Sequence, residues 1–208
     1  MDVLWDGLRG AFELLLGGDG ETYEIVWRSL RVSIGATAIA FVLGVPLGAA
    51  LAFGRFPGRR VALAAVNTGM GLPPVVVGLL ITVLLWRSGP LGALELLYTP
   101  TAMVIAQATI ALPLVAGISA AGLAQVDPDF RVQMEALGAT RARALWVAAV
   151  EARLPLVAAV MAGFGAVVSE VGAATMVGGN IAGQTRVLTT AAVLETCLLY
   201  TSPSPRDS

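Results

Sequence analysis

The chain has 208 residues, of which 57% are hydrophobic and 13% charged, with a mean hydropathy of +0.81 and a formal net charge of -1. That balance places it among integral membrane proteins and sets it apart from nucleic-acid binders, which need a basic surface against phosphate. Every basic residue is arginine and histidine is absent, so Ser-His or Cys-His nucleophiles, His-ligated metals and a Gly-x-x-x-x-Gly-Lys-Ser/Thr phosphate loop are all excluded.

The start is acidic at Asp2 and Asp6 where a cleavable signal would be basic, so the first true span is expected to target the protein. Over residues 2–17, Val3, Leu4, Leu8, Phe12, Leu15 and Leu16 fall at helical spacing with Asp2, Asp6, Arg9 and Glu13 between them. The pattern fits an amphipathic helix, either lying on the bilayer or packed on the bundle. Span 1 is expected over residues 32–53, an uncharged run of 22 residues that reaches ~33 Å at ~1.5 Å per residue. Gly44 and Gly48 flank Pro46 within it, a pattern that admits a closely approaching neighbour helix. Arg55, Arg59 and Arg60 in the following loop mark the cytoplasmic side.

Span 2, residues 61–86, is interrupted by Asn67-Thr68-Gly69-Met70-Gly71-Leu72-Pro73-Pro74. Two adjacent prolines remove two amide donors, so the helix must break or bend, and a broken span either lines a substrate path or marks a packing kink. Span 3 is expected over residues 100–123, with Gln107 and Pro113 inside it; Gln107 is read first as a partner for a neighbouring helix. Span 4, residues 154–177, places Ala159, Gly163, Ala166, Glu170 and Ala173 on one small-residue stripe. A continuous helix would carry Glu170 ~24 Å from Leu154, toward the outer end. A glycine-rich outer loop follows, from Gly178 and Gly179 through Asn180 to Arg186, and a fifth apolar run starts at residue 187. Residues 197–208 change composition abruptly and are read as a non-native tail on a domain spanning residues 1–196.

Between spans 3 and 4 lies a polar island, residues 131–143, with two short helices hinged at Gly138. Its arginines put it on the same side as Arg55 to Arg60, which gives an amino terminus outside the membrane. This elbow resembles the coupling loop of type I ABC importer permeases, whose motif is Glu-Ala-Ala, a glycine four residues on, and a later Leu-Pro. Val132, Gln133 and Met134 stand at the Glu-Ala-Ala positions, Glu135, Ala136, Leu137, Gly138 and Ala139 keep the glycine core, and Leu154-Pro155 comes about one turn late.

Downstream, Ser169-Glu170-Val171-Gly172-Ala173, Gly178-Gly179-Asn180-Ile181 and Thr185-Arg186-Val187-Leu188-Thr189-Thr190 are similar to permeases of tungstate importers, relatives of the molybdate and sulfate permeases. Residues 71–80 and 99–107 resemble the same family, so the likeness runs over about residues 22–196. It implies an all-α type I ABC importer permease bundle in the cytoplasmic (inner) membrane, with no cofactor or metal of its own. It further implies a homodimer of permeases, a cytoplasmic ATPase subunit that hydrolyses ATP, an extracytoplasmic oxyanion-binding protein, and tungstate or molybdate as cargo. Met134, Glu135, Ala136, Leu137, Gly138, Ala139, Arg141 and Arg143 are then the ATPase-coupling candidates. Gly71, Pro73, Pro74, Gln107, Glu170, Gly172, Gly178, Gly179, Asn180 and Arg186 are the pathway or gate candidates. A tetrahedral dianion would not favour Glu170, which is expected to meet an amide, a backbone donor or Arg186 instead. An intramembrane enzyme lacks a second convergent catalytic group here, and a transporter driven by an ion gradient remains the alternative.

Overall fold

The computed structural model describes residues 5, 17, 20–127, 130, 133–134 and 136–201, so the amphipathic segment expected at 2–17, Arg131, Val132 and Glu135 lie outside the described residues except for Trp5 and Gly17. The described residues form helices and no strand. Helix α1 is Gly20–Phe53, α2 Arg59–Met70, α3 Pro74–Leu85, α4 Pro100–Leu123, α5 Arg141–Glu151, α6 Arg153–Val168, α7 Gly172–Gly178 and α8 Leu188–Thr201. A 3-10 turn, Gly92–Leu94, sits between α3 and α4.

Two of these, α1 and α4, are long and apolar enough to cross a membrane singly. The α2–α3 pair, bent by 104°, and the α5–α6 pair, bent by 75°, each qualify if taken as one broken span. Three boundaries differ from those read in the sequence. Helix α1 starts twelve residues before the apolar run, because Glu24 and Arg28 pair at i,i+4 (3.8 Å) and Arg28 also reaches a distant loop. Span 4 is not one helix: α6 ends at Val168 and α7 restarts at Gly172. At the carboxyl end α8 continues as helix past Cys197 to Thr201, and residues 202–208 lie outside the described residues.

Helix α4 is the hub. Its Ala102 and Ala106 pack with Val77, Ile81 and Leu85 of α3 and Val177 of α7. Lower down, Ala111 and Val115 meet Ala40 of α1 and Ala159 and Val167 of α6, while Ala116 and Ala120 meet Leu51 of α1 and Val66 of α2. Small side chains make this possible, since lipid offers no hydrophobic drive and helices associate through close van der Waals packing. The neighbour at Gly44 and Gly48 is α4: a β-carbon on Gly48 would lie 2.8 Å from the Ala116 carbonyl oxygen.

These contacts order the bundle into two ends. At one end sit the close of α1, the start of α2, the close of α4 and the start of α6, tied by Arg59 Nε donating to the Leu51 carbonyl (2.7 Å) and by Gly122 against Pro155. At the other, Val32, Met103, Ala174 and Val187 cluster, and the Tyr98 amide donates to the Val177 carbonyl (3.0 Å). Helices α1 and α4 therefore run in the same direction, with α2–α3 and α6–α7 running back. Large apolar side chains such as Val42, Leu79, Leu80 and Met161 face outward, as a lipid-facing surface requires.

Candidate functional site: two broken helices and a polar elbow

The chain around the prolines that break span 2 is held by local backbone hydrogen bonds. Gly71 caps α2, its amide donating to the Thr68 carbonyl (3.0 Å), and the Leu72 amide reaches Gly69 (3.3 Å). Pro73 then serves as the N-cap of α3 in an extended conformation and Pro74 is its first residue, where the missing N–H would have had no helical partner anyway. The Pro73 carbonyl accepts from Val76 and Val77. Asn67 to Met70, expected within the interruption, stay helical.

Span 4 breaks at the same level. Ser169 ends α6 and donates its hydroxyl to the Gly165 carbonyl (2.8 Å). Glu170, placed on a helical stripe by the sequence, sits in the break instead, and its Oε1 accepts from the Ala173 amide (2.8 Å). That is the amide contact anticipated for it, and it satisfies one of the donors at the start of α7. The two second halves touch through glycine: a β-carbon on Gly172 would lie 2.6 Å from Val75 Cγ2, and one on Gly78 would lie 2.6 Å from Ala173 Cα. So the breaks containing Gly71, Pro73 and Pro74 and Glu170 and Gly172 come together in space.

Gln107 is buried on α4, 3% exposed, and its Oε1 has no hydrogen-bond partner among the described residues. Met103, four residues before it, packs on α7 and Ala111, four after it, packs on α6; helical register thus sets Gln107 at the level of the α6–α7 break. Gly178 is buried under Met103, and Gly179 (φ 74°) and Asn180 (φ 51°) turn the chain left-handed out of α7. Asn180 Nδ2 donates to the Thr190 carbonyl at 3.4 Å while its buried Oδ1 has no hydrogen-bond partner among the described residues. Arg186 does not meet Glu170. It pairs with Glu21 at 3.7 Å.

The elbow is built by local rules. The Ala139 amide donates to the Met134 carbonyl (2.9 Å) and Gly138 adopts φ 71°, the left-handed helix stop that glycine accepts without a β-carbon penalty. Thr140 then caps α5, its hydroxyl accepting from the Arg143 amide (3.4 Å). Leu137 is 81% exposed and Trp146 71%, and of the described α5 side chains only Ala148 is buried. Of the other coupling candidates, Glu135 lies outside the described residues and Arg141 is described only as the first residue of α5. Ala136 and Arg143 are exposed, and Met134 and Ala139 are half-buried.

Sequence reasoning singled out neither Arg28 nor Ser29, and it named Thr185, Thr189 and Thr190 only within the stretch that resembles tungstate permeases. The hydroxyl of Thr185, fully buried, donates to the Gly178 carbonyl and accepts from the Ile181 amide (3.0 Å). Thr189 donates to the Glu170 carbonyl (2.9 Å), which ties α8 to the break. Their signal was present as a threonine-rich stretch after a glycine loop, but threonine alone does not announce its partner.

Comparison with known proteins places these features. Residues 44–195 match the model of a family described as binding-protein-dependent transport system inner membrane component. The tungstate uptake system permease protein TupB of Peptoclostridium acidaminophilum is 38% identical over 190 residues, covering 91% of this chain and 83% of that one. A probable anion ABC transporter permease protein of Haloferax volcanii is 42% identical over 172 residues, covering 80% and 74%. The molybdenum transport system permease protein ModB of Escherichia coli K12 is 26% identical over 177 residues, covering 79% and 77%.

Proposed function

We propose, from the premise that this chain belongs to the family of binding-protein-dependent transport system inner membrane components, that it is the transmembrane subunit of an ATP-driven importer of a tetrahedral oxyanion, tungstate first. It works as a homodimer, with an ATPase subunit on the cytoplasmic side and an oxyanion-binding protein outside. ATP is hydrolysed by the partner, as the sequence has no lysine and hence no phosphate-loop lysine.

The observation that carries the mechanism is the elbow. Leu137, in the turn at Gly138, and Trp146, on α5 capped by Thr140, are both exposed at the bundle end that also holds Arg55, Arg59 and Arg153. An apolar pair on such a polar turn and helix suits a groove on a soluble partner. Closing of the two ATPases would push the elbows and, through α6, rock the two broken-helix pairs. The path then runs past the Gly71–Pro74 and Ser169–Gly172 breaks. Small residues and backbone groups line such a path at low affinity, leaving selection to the binding protein, and Glu170 serves there as a cap for α7.

Uptake of labelled tungstate by the reconstituted transporter, with molybdate and sulfate as competitors, tests the reading. Strict dependence on ATP and on the binding protein, with tungstate the strongest competitor, is the expected result. Uptake that persists without an ATPase would favour the ion-gradient alternative, and equal competition by molybdate would widen the substrate class.

A further inference from the structure

The outer end of the bundle carries a contact that transport alone does not account for. The first turns of α1, before its apolar run, reach the loop that joins α7 to α8. Arg28 Nη1 donates to the Arg186 carbonyl (3.1 Å) and Nη2 to the Gly183 carbonyl (2.8 Å). One residue on, the Ser29 hydroxyl accepts from the Leu188 amide (2.8 Å) while donating to Ile25 within α1. The loop answers from its own side, with Arg186 Nη1 3.7 Å from Glu21.

Two arginines at the outer mouth of an oxyanion importer invite the reading that they receive the anion. The geometry decides against it for Arg28. Both terminal nitrogens already hold carbonyls and Glu24 lies 3.8 Å away, so an incoming anion would have to displace two charge-assisted hydrogen bonds. The planar fork of arginine bridges two backbone acceptors in a way that a lysine ammonium does not.

On its far side the same loop is fastened to the broken helix. Thr185 bonds Gly178, the last residue of α7, and Thr189 bonds the carbonyl of Glu170 in the break. Helix α7 has seven residues, too few to be stable by itself. Its position depends on its flanks.

We propose that Arg28, with Ser29, is a latch that fixes the 179–188 loop and α7 to α1, so that these parts of the outer mouth move as one body while the transporter cycles. Arg28 is thus a positioning residue, acting on the path through α7. This inference rests on the transport reading for its consequence, though the latch itself does not depend on it.

The test uses the full chain assembled with its ATPase, reading hydrogen exchange of the 181–188 amides in nanodiscs and, in sealed proteoliposomes, uptake driven by tungstate-loaded binding protein. Arg28→Ala is expected to speed exchange of the Leu188 amide at least ~10-fold and to cut maximal uptake ~10-fold, leaving the half-saturating concentration of loaded binding protein unchanged. Arg28→Lys should restore only part of both. In a Cys197→Ser background, Ser29→Cys with Leu188→Cys joined by a short thiol crosslinker should keep uptake within ~2-fold of the uncrosslinked protein. Unchanged exchange in Arg28→Ala overturns the latch. So does a rise in half-saturation without loss of maximal rate, or a crosslink that stops uptake until it is cleaved. If the wild-type chain imports no oxyanion while Arg28→Ala still speeds exchange, the transport reading fails and the latch stands.

Discussion

At Gly48 the space that a β-carbon would need is already occupied, by the Ala116 carbonyl oxygen at 2.8 Å and the Ala120 nitrogen at 2.9 Å. Both are backbone atoms of the hub helix, so neither can turn aside as a side chain would. Gly165, also helical, has nothing within 4 Å of the corresponding position. Overpacking typically costs about 1–3 kcal/mol, and Gly48→Val is expected to lower the melting temperature of the purified chain by that equivalent. Gly165→Ala should leave it unchanged or slightly raised, because alanine is favoured over glycine in a helix. Equal effects at the two positions would mean that α1 and α4 do not cross there. Glu170 makes a related case, in which its oxygen is expected to matter and its charge is not. Glu170→Gln keeps an acceptor for the Ala173 amide and should preserve assembly and uptake. Glu170→Ala removes it and should cost about 1 kcal/mol, the usual loss of a helix cap. Matching defects in the two variants, followed by thermal melting and uptake, would instead give the charge itself a role.

Among the elements, the elbow and the two broken spans were legible to different degrees. The elbow could be read because its signal is local: Gly138 stops one helix and Thr140 starts the next. The double proline at Pro73–Pro74 likewise has no unbroken helical solution. The break at Ser169–Val171 could not be read that way, since no proline or left-handed glycine marks it. The small-residue stripe from Ala159 to Ala173 is equally compatible with a straight helix, and what breaks it is tertiary: Gly172 and Ala173 must meet Val75 and Gly78, and Glu170 supplies the cap that a restart requires. The early start of α1 was hidden for a similar reason. Hydropathy sees the run from Val32, while the turns before it are held by Arg28 on a loop more than 150 residues away. The elbow carries its own prediction. If Leu137 and Trp146 seat in the ATPase, replacing both by alanine should weaken ATPase co-purification at least ~10-fold. The chain itself should melt as before, because both side chains are more than two-thirds exposed and surface changes usually stay within about 0.5 kcal/mol. Replacing Gly138 by valine should act through geometry, since a β-branched residue at φ 71° is strained, and should lower uptake per ATP hydrolysed. Undiminished ATPase capture and coupling in both variants would show that the partner docks elsewhere.

For the whole molecule, the parallel course of α1 and α4, with the two broken spans returning, fixes which loops share an end but not which end faces the cytoplasm. The proposed orientation rests on charge. Among the described residues, six arginines lie at the elbow end (55, 59, 60, 141, 143 and 153) and four at the other (28, 31, 87 and 186), and arginine-rich short loops stay inside. Two of the four, Arg28 and Arg186, are moreover bound into the loop contacts with Glu24 and Glu21. The orientation this gives is the one that transport needs, with the elbow on the ATP side and the glycine loop toward the binding protein. Single cysteines in a Cys197→Ser background make it measurable. Phe56→Cys and Leu94→Cys lie at opposite ends, and the native side chains are 43% and 57% exposed. A membrane-impermeant maleimide applied to spheroplasts should label position 94 at once and position 56 only after permeabilisation. The reverse pattern would place the elbow outside, where no ATP-hydrolysing partner can reach it, and the coupling role would then have to be given up along with the orientation.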